Sequence, residues 1–307
     1  MPINVPSRVC IVEVGPRDGL QNEKLTLSPQ VRAEFINRLA AAGIRRIEGG
    51  SFVSPTAVPQ MAHTDETFAL VSRQNLRLSA LVPNLRGLAD ALSAGADEIA
   101  VFAAASETFS KRNINCSIDE SLERYAKVVA EARRYGVMTR GYVSCALGCP
   151  YEGAVDYARV VSVASALLDM GCFEISLGDT IGVGTPLQAR RLVERVARVA
   201  PLDKIAVHFH DTYGQALANI FACLESGVCI IDSSVAGIGG CPFAPGSAGN
   251  VATEDVVYML QQMNVETNIS LERLIAAGAF ACAQLNRAPA SRVALAYGAK
   301  SDQPVGA

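Results

Sequence analysis

The 307-residue chain holds three histidines, His63, His208 and His210, and two of them stand one residue apart in "VHFHDTYGQ", 207–215. The surrounding run is apolar and reads as a buried strand. Residues i and i+2 of a strand point to the same face, so His208 and His210 are expected side by side. That spacing suits two imidazoles on one metal ion; the plain alternative is a pair of core histidines bonded to backbone carbonyls. Asp18 in "GPRDGLQ" and Asn250 in "GSAGN" close other runs and offer a carboxylate and an amide oxygen. Such a mixed N/O set without thiolate suits Mg²⁺ or Mn²⁺, with positions left for substrate and water; cobalt and iron remain open. Arg17 reads either as a fixed cation beside a developing oxyanion or as a salt-bridged surface arginine. Adjacent strand residues face opposite sides, so Arg17 and Asp18 share a site only if the strand ends at Pro16. Asn250 also reads as an N-cap for a helix over 251–260. Cys241 lies in "GIGGCPFAPGSAGN", 237–250, the composition of a hinged flap, where it is a proton donor or an exposed thiol.

Something must bring these residues together. Eight short β-branched runs, 8–14, 45–52, 76–83, 98–106, 139–146, 172–178, 204–210 and 229–237, alternate with helical segments. In the segment 29–43, Val31, Phe35, Leu39 and Ala42 form one apolar face; the segment 121–136 stops at Gly136. Several helices pass to the next strand through a glycine. The pattern predicts a (β/α)8 TIM barrel. The rival is an open doubly wound sheet, but no G-x-G-x-x-G follows the first strand, and "GVGTP" at 182–186 reads as a turn. In a barrel, chemistry gathers at the C-terminal ends of the strands. Arg17, Asp18, Glu48, Asp179, His208, His210 and the loop reaching Asn250 all fall there. The chain is expected to be a single domain, with the barrel over about 1–265 and a C-terminal helical extension over about 266–307, its helix ending near Asn286.

Composition narrows the function. Half of the residues are apolar and the net charge is −3, which argues against a nucleic-acid surface. No apolar run is long enough to span a membrane. The nine cysteines are scattered, odd in number and without a C-x-x-C pair, so they read as small buried residues in a reducing compartment. The opening "MPINVPSRVCIVEV" lacks a signal-peptide pattern. A cytoplasmic protein is expected.

Six blocks carry a family resemblance: "EVGPRDGLQNEK" (13–24), "SFVSP" with "VPQM" (51–61), "GYVSCALGCPYEG" (141–153), "EISLGDTIGVGTP" (174–186), "HFHDTYGQALAN" (208–219) and "DSSVAGIGGCPFAPGSAGNVATEDVVYML" (232–260). Together they resemble 3-hydroxy-3-methylglutaryl-CoA lyase over almost the whole chain. The resemblance implies cleavage of a 3-hydroxyacyl-CoA to acetyl-CoA and acetoacetate, with a divalent metal, no organic cofactor and possible homodimerisation. It places Asp18, His208, His210 and Asn250 on the metal, Arg17 at the enolate and Cys241 as its acid. Asp18 and His208 count among the catalytic candidates as well as the ligands; Asp18 or His210 can take the hydroxyl proton. Glu48, Asp179 and Glu254 match the family's polar surround, and Gln21, Lys24 and Asn286 its active-site or CoA contacts.

The chain departs from the family at Gly49-Gly50, at Thr56-Ala57, at Pro245 and at Ala288. The first two changes are expected to trim bulk near the mouth and admit a different acyl group. Citramalyl-CoA or a longer branched 3-hydroxyglutaryl-CoA is the alternative substrate. A condensing synthase of the same barrel family usually adds a long regulatory region, for which the residues after the barrel leave no room.

Overall fold

The computed structural model describes residues 5–240 and 249–301. Eight parallel strands close into a barrel in sequence order: β1 (Cys10–Glu13), β2 (Arg46–Ser51), β3 (Arg77–Leu81), β4 (Glu98–Ala104), β5 (Met138–Ser144), β6 (Glu174–Asp179), β7 (Ile205–Phe209) and β8 (Ile230–Ser233). The ends of the first seven lie within two residues of the expected runs, and β8 falls inside the eighth. The helices between them are α1 (Pro29–Ala41), α2 (Thr64–Leu70), α3 (Leu85–Ser93), α4 (Glu107–Ile114), α5 (Ile118–Arg134), α6 (Tyr157–Asp169), α7 (Pro186–Val196) and α8 (Ala216–Glu225). After β8 come α9 (Thr253–Gln262), α10 (Leu271–Gln284) and α11 (Arg292–Ser301). The fold is a TIM barrel.

Local chemistry sets the element ends. Ser28 caps α1 through the Val31 N–H at 3.3 Å, with Pro29 at its first position, where a missing N–H costs nothing. Phe35, Ile36 and Leu39 are fully buried on its inner face. Gly43 ends the helix at φ +108°, and a Cβ there would lie 2.3 Å from the Asn268 carbonyl. α5 begins three residues earlier than expected because Ser117 and Glu120 form a capping box. The helix α4, capped by Ser106, interrupts the expected strand–helix rhythm after β4. β8 stops at Ser233 rather than running to 237: residues Val235–Gly237 turn sharply, with Ala236 at φ +56°.

The large apolar core lies between the outer strand faces and the helices, where Ile47, Leu78, Ile99, Val143 and Ile175 are fully buried. Barrel interiors are commonly filled by aliphatic layers; this one is largely ionic. Arg46 meets Glu174 at 2.8 Å and Glu98 at 3.2 Å. Arg140 meets Glu174 at 2.5 Å and Asp232 at 2.6 Å. Buried charges persist only when paired, and here each has a partner from another strand.

Between β2 and β3 the register slips at Glu48/Gly50. Both glycines of the pair therefore face the helices. A Cβ on Gly49 would lie 2.5 Å from Leu78 Cδ1, and one on Gly50 would lie 2.6 Å from Thr64. This corrects the expectation that Gly49-Gly50 opens the mouth: the pair lets the helical layer approach the strand.

Candidate metal centre

β1 ends at Glu13, and the chain then folds into one turn of π-helix, Gly15–Gly19, with Pro16 in its first positions. The Gly19 N–H reaches the Val14 carbonyl at 3.2 Å. On a helical turn, adjacent side chains need not face opposite ways as they do on a strand. Arg17 and Asp18 therefore both meet the mouth, with Arg17 Nη1 donating to Asp18 Oδ1 at 2.7 Å.

β7 carries His208 inward. His210 lies one residue beyond the strand end and is held there by a bridge to Asn250. The Asp211 N–H donates to the Gly249 carbonyl at 2.8 Å and the Val251 N–H to the Phe209 carbonyl at 3.1 Å. These bonds lay Asn250 across the mouth, where its Nδ2 donates to Asp18 Oδ2 at 2.8 Å. The helix α9 is capped at Ala252, so Asn250 is not its N-cap.

Asp18, His208 and His210 each offer a ligand atom, and these atoms lie within 4.8 Å of one another. His208 Nε2 is 3.7 Å from Asp18 Oδ2, and the imidazole centroids are 5.6 Å apart. Burial alone would push the Asp18 carboxyl up, but Arg17, His208 and His210 outweigh it and hold it at about 2. Burial, with His208 nearby, depresses His210 to about 4. At neutral pH that ring is an uncharged donor beside an ionised carboxylate, the states a metal requires. The His210 Nδ1 is buried and finds no hydrogen-bond partner among the described residues. A buried polar atom without a partner calls for an explanation, and a cation held by this N/O set supplies one.

Above the triad lies a cavity of about 450 Å³. Its polar lining includes Arg17, Asp18, Gln21, Tyr142, His208 and His210. Its apolar lining includes Val53, Ala57, Val58, Phe102, Phe109 and Ile114.

A family model described as HMGL-like matches residues 8–280. The chain is 54% identical over 300 residues to the 3-hydroxy-3-isohexenylglutaryl-CoA/hydroxy-methylglutaryl-CoA lyase of Pseudomonas aeruginosa, covering 97% of this chain and all of the relative. The chain belongs to the HMGL-like family. A crystal structure of hydroxymethylglutaryl-CoA lyase from Pseudomonas aeruginosa superposes with a TM-score of 0.95 at 54% identity, over 96% of this chain and 99% of that one. An HMG-CoA lyase from Acinetobacter baumannii, solved with coenzyme A and 3-methylmalate, superposes with a TM-score of 0.90 at 33% identity, over 98% and 97% of the two chains.

Other expected HMGL-like site residues scatter. Glu48 is buried beneath the mouth, accepting from Arg17 Nε and from the Tyr142 hydroxyl. Asp179 holds the turn after β6, accepting from the Gly184 N–H at 2.8 Å and the Val183 N–H at 3.2 Å; burial raises it to about 6. Gln21 lines the cavity, with its Oε1 buried and unpartnered among the described residues. Three residues expected at substrate stand elsewhere among the described ones. Glu254 is fully buried and accepts from the Ala236 N–H at 2.8 and 3.0 Å, so it clamps the turn after β8 rather than facing the cavity. Lys24 is exposed and outside the cavity lining. Asn286 is exposed at φ +51°, a left-handed residue ending α10, where Asn is tolerated. Cys241 and Pro245 lie outside the described residues.

Sequence reasoning missed Arg140, Tyr142 and Asp232. A signal was present. Arg140 and Tyr142 stand at i and i+2 in "TRGYVS", and Asp232 follows "CII" in an apolar run. A charge inside a strand that should be buried implies a partner across the barrel.

Proposed function

We propose that the chain cleaves 3-hydroxy-3-methylglutaryl-CoA to acetyl-CoA and acetoacetate with a divalent cation, Mg²⁺ or Mn²⁺, held by Asp18, His208, His210 and Asn250. The observation that carries this reading is the meeting of Asp18, His208 and His210 within 4.8 Å, with Arg17 bonded to the same aspartate. A bound cation of this kind supplies Lewis acidity that eases deprotonation of an alcohol and orients substrate oxygens.

The residues set the rest of the chemistry. The tertiary hydroxyl gives its proton to a base at the triad, Asp18 or His210. The bond between the carbinol carbon and the thioester's α-carbon breaks, leaving a ketone. The electron pair passes into the enolate of acetyl-CoA. Arg17 Nε and Nη1 are taken by Glu48 and Asp18, which leaves Nη2 to meet the enolate oxygen. Burial works against the Arg17 charge, but Glu48 and Asp18 outweigh it and keep the guanidinium protonated. Cys241 is the proposed acid that protonates the enolate carbon. Positioning of reactant and fixed charge together can supply much of such a barrier reduction.

The apolar residues among the cavity lining, the small Ala57 included, support a second substrate within the same chemistry, a longer branched 3-hydroxyglutaryl thioester. A panel of 3-hydroxyacyl-CoA thioesters, with trapping of acetyl-CoA, tests both. Fastest turnover of the methylglutaryl compound supports the first reading; faster turnover of the longer compound replaces it. Chelation should stop turnover and added Mg²⁺ or Mn²⁺ restore it. A reducing compartment such as the cytoplasm suits the eight described cysteines, all of them free. The chain is also proposed to form a homodimer, which light scattering on the purified chain tests.

A further inference from the structure

The polar contacts beneath the mouth close into a ring. Asp18 accepts from Arg17 Nη1 at 2.7 Å, and Arg17 Nε donates to Glu48. The Tyr142 hydroxyl donates to the second Glu48 oxygen, and Arg140 Nη1 donates to the Tyr142 oxygen at 2.9 Å. Arg140 then forks onto both oxygens of Asp232, at 2.6 and 2.9 Å. Asp232 Oδ2 lies 3.3 Å from His208 Nδ1. The other nitrogen of that ring, Nε2, lies 3.7 Å from Asp18 Oδ2, where the circuit began. Seven side chains from β2, β5, β7, β8 and the turn after β1 thus fix one another.

We propose that Asp232 is a positioning residue for the metal centre: it accepts the Nδ1 proton of His208 and so leaves the Nε2 lone pair facing Asp18. This rests on the metal reading given under the proposed function. A neutral imidazole carries one proton, and the partner of one nitrogen decides what the other can do. Asp232 is suited to that task because it cannot turn away. It is fully buried and also accepts from Ser176 Oγ at 2.8 Å. Its Arg140 partner is anchored in turn by Glu174 at 2.5 Å. The ring of Tyr142 meets that of His208 edge-on, with centroids 6.0 Å apart and planes at 86°, which restricts rotation of the imidazole.

The substitution Asp232→Asn should reverse the arrangement. Arg140 would take the amide oxygen, turning the amide NH2 towards His208. A donor at Nδ1 favours the tautomer protonated at Nε2, which cannot ligate there. Ser176→Ala touches the same carboxylate without touching the imidazole, and serves as the control.

Two measurements test the inference. Long-range ¹⁵N–¹H correlation on the metal-free protein at alkaline pH reports the tautomer of each of the three histidines. His208 protonated at Nδ1 supports the proposal, and protonation at Nε2 overturns it, whether or not any variant folds. Calorimetric titration with Mn²⁺, on protein whose fold is checked by circular dichroism, should show Asp232→Asn binding about 10–100-fold more weakly than the original chain. Ser176→Ala should stay within about threefold, by the same reasoning that spares the imidazole contact. Equal Mn²⁺ affinity in Asp232→Asn overturns the positioning role. Failure of the unsubstituted chain to bind Mn²⁺ overturns the metal reading itself, so the two failures are told apart.

Discussion

Asp18 and Glu13 stand five residues apart at the end of β1, Glu13 fully buried and Asp18 partly so, yet their carboxyls move in opposite directions. Asp18 is held at about 2. Burial raises Glu13 to about 7 and Glu254 to about 8. Desolvation pushes all three up; the difference lies in the partners. Asp18 has a guanidinium and two imidazoles beside it. Glu13 accepts from the Gly15 N–H at 2.8 Å, the Val235 N–H at 3.0 Å and the Thr253 hydroxyl at 2.7 Å. Glu254 accepts from the Ala236 N–H. At these two buried sites the neutral donors lower each carboxyl without offsetting its loss of water, and the neighbouring Glu13 raises Glu254 further. The mouth therefore keeps an anion able to hold a cation. The base of the loop after β8 keeps proton-binding clamps on the turn at Val235–Gly237.

The strongest way to break this contrast is to remove the cation that sustains it. Arg17→Met should lower kcat/KM by about 10²–10³ or more, through loss of one electrostatic donor. It should also raise the Asp18 pKa, because the largest opposing charge is gone. Steady-state kinetics with the methylglutaryl thioester and the pH dependence of Mn²⁺ binding read the two effects. Unchanged turnover in a folded variant removes Arg17 from the mechanism.

A change at the other pole should be felt in stability. Glu254 binds its proton more tightly folded, at about 8, than its ordinary value of 4.5. Its contribution is whole below about 4.5 and is lost as pH rises through about 8. Glu254→Gln stays neutral throughout and still offers an oxygen to the Ala236 N–H. Between pH 5 and 8 the variant's urea midpoint should fall less steeply than that of the original chain. The difference is bounded by one proton, about 1.4 kcal/mol per pH unit. Parallel pH profiles would show that Glu254 is ionised in the folded protein.

The smallest effect is expected from the third histidine. His63 is exposed and pairs with Glu66 at 2.8 Å, an i,i+3 contact on the surface, where such pairs contribute about 0–1 kcal/mol. His63→Ala should leave Mn²⁺ affinity and turnover within about twofold, since it carries none of the buried charge that separates the two poles. A larger loss would place the metal elsewhere.

Much of this molecule was legible in the order of residues. The eight short β-branched runs marked eight strands because apolar residues recur on their helix-facing side even where charges point into the barrel. The H-x-H spacing placed two imidazoles together because the strand repeat is two. Helix ends were less legible where capping overrode the apolar pattern, as at Ser117. The glycine pair at 49–50 was misread because a slip of register, set by packing against β3, turns a residue to the other face.

Sequence alone determined the barrel, the paired imidazoles and the acid beside Arg17, because each follows from local periodicity or turn chemistry. Only the tertiary structure decided that Arg17 and Asp18 face the same way, that Asn250 crosses to Asp18 rather than capping a helix, and that Glu254 clamps a turn away from the cavity. It also decided that Arg140 and Asp232 stand beneath His208. These are relations between segments up to 232 positions apart. A side chain's charge and direction there are set by which neighbours the closing barrel delivers, and local pattern carries no record of that.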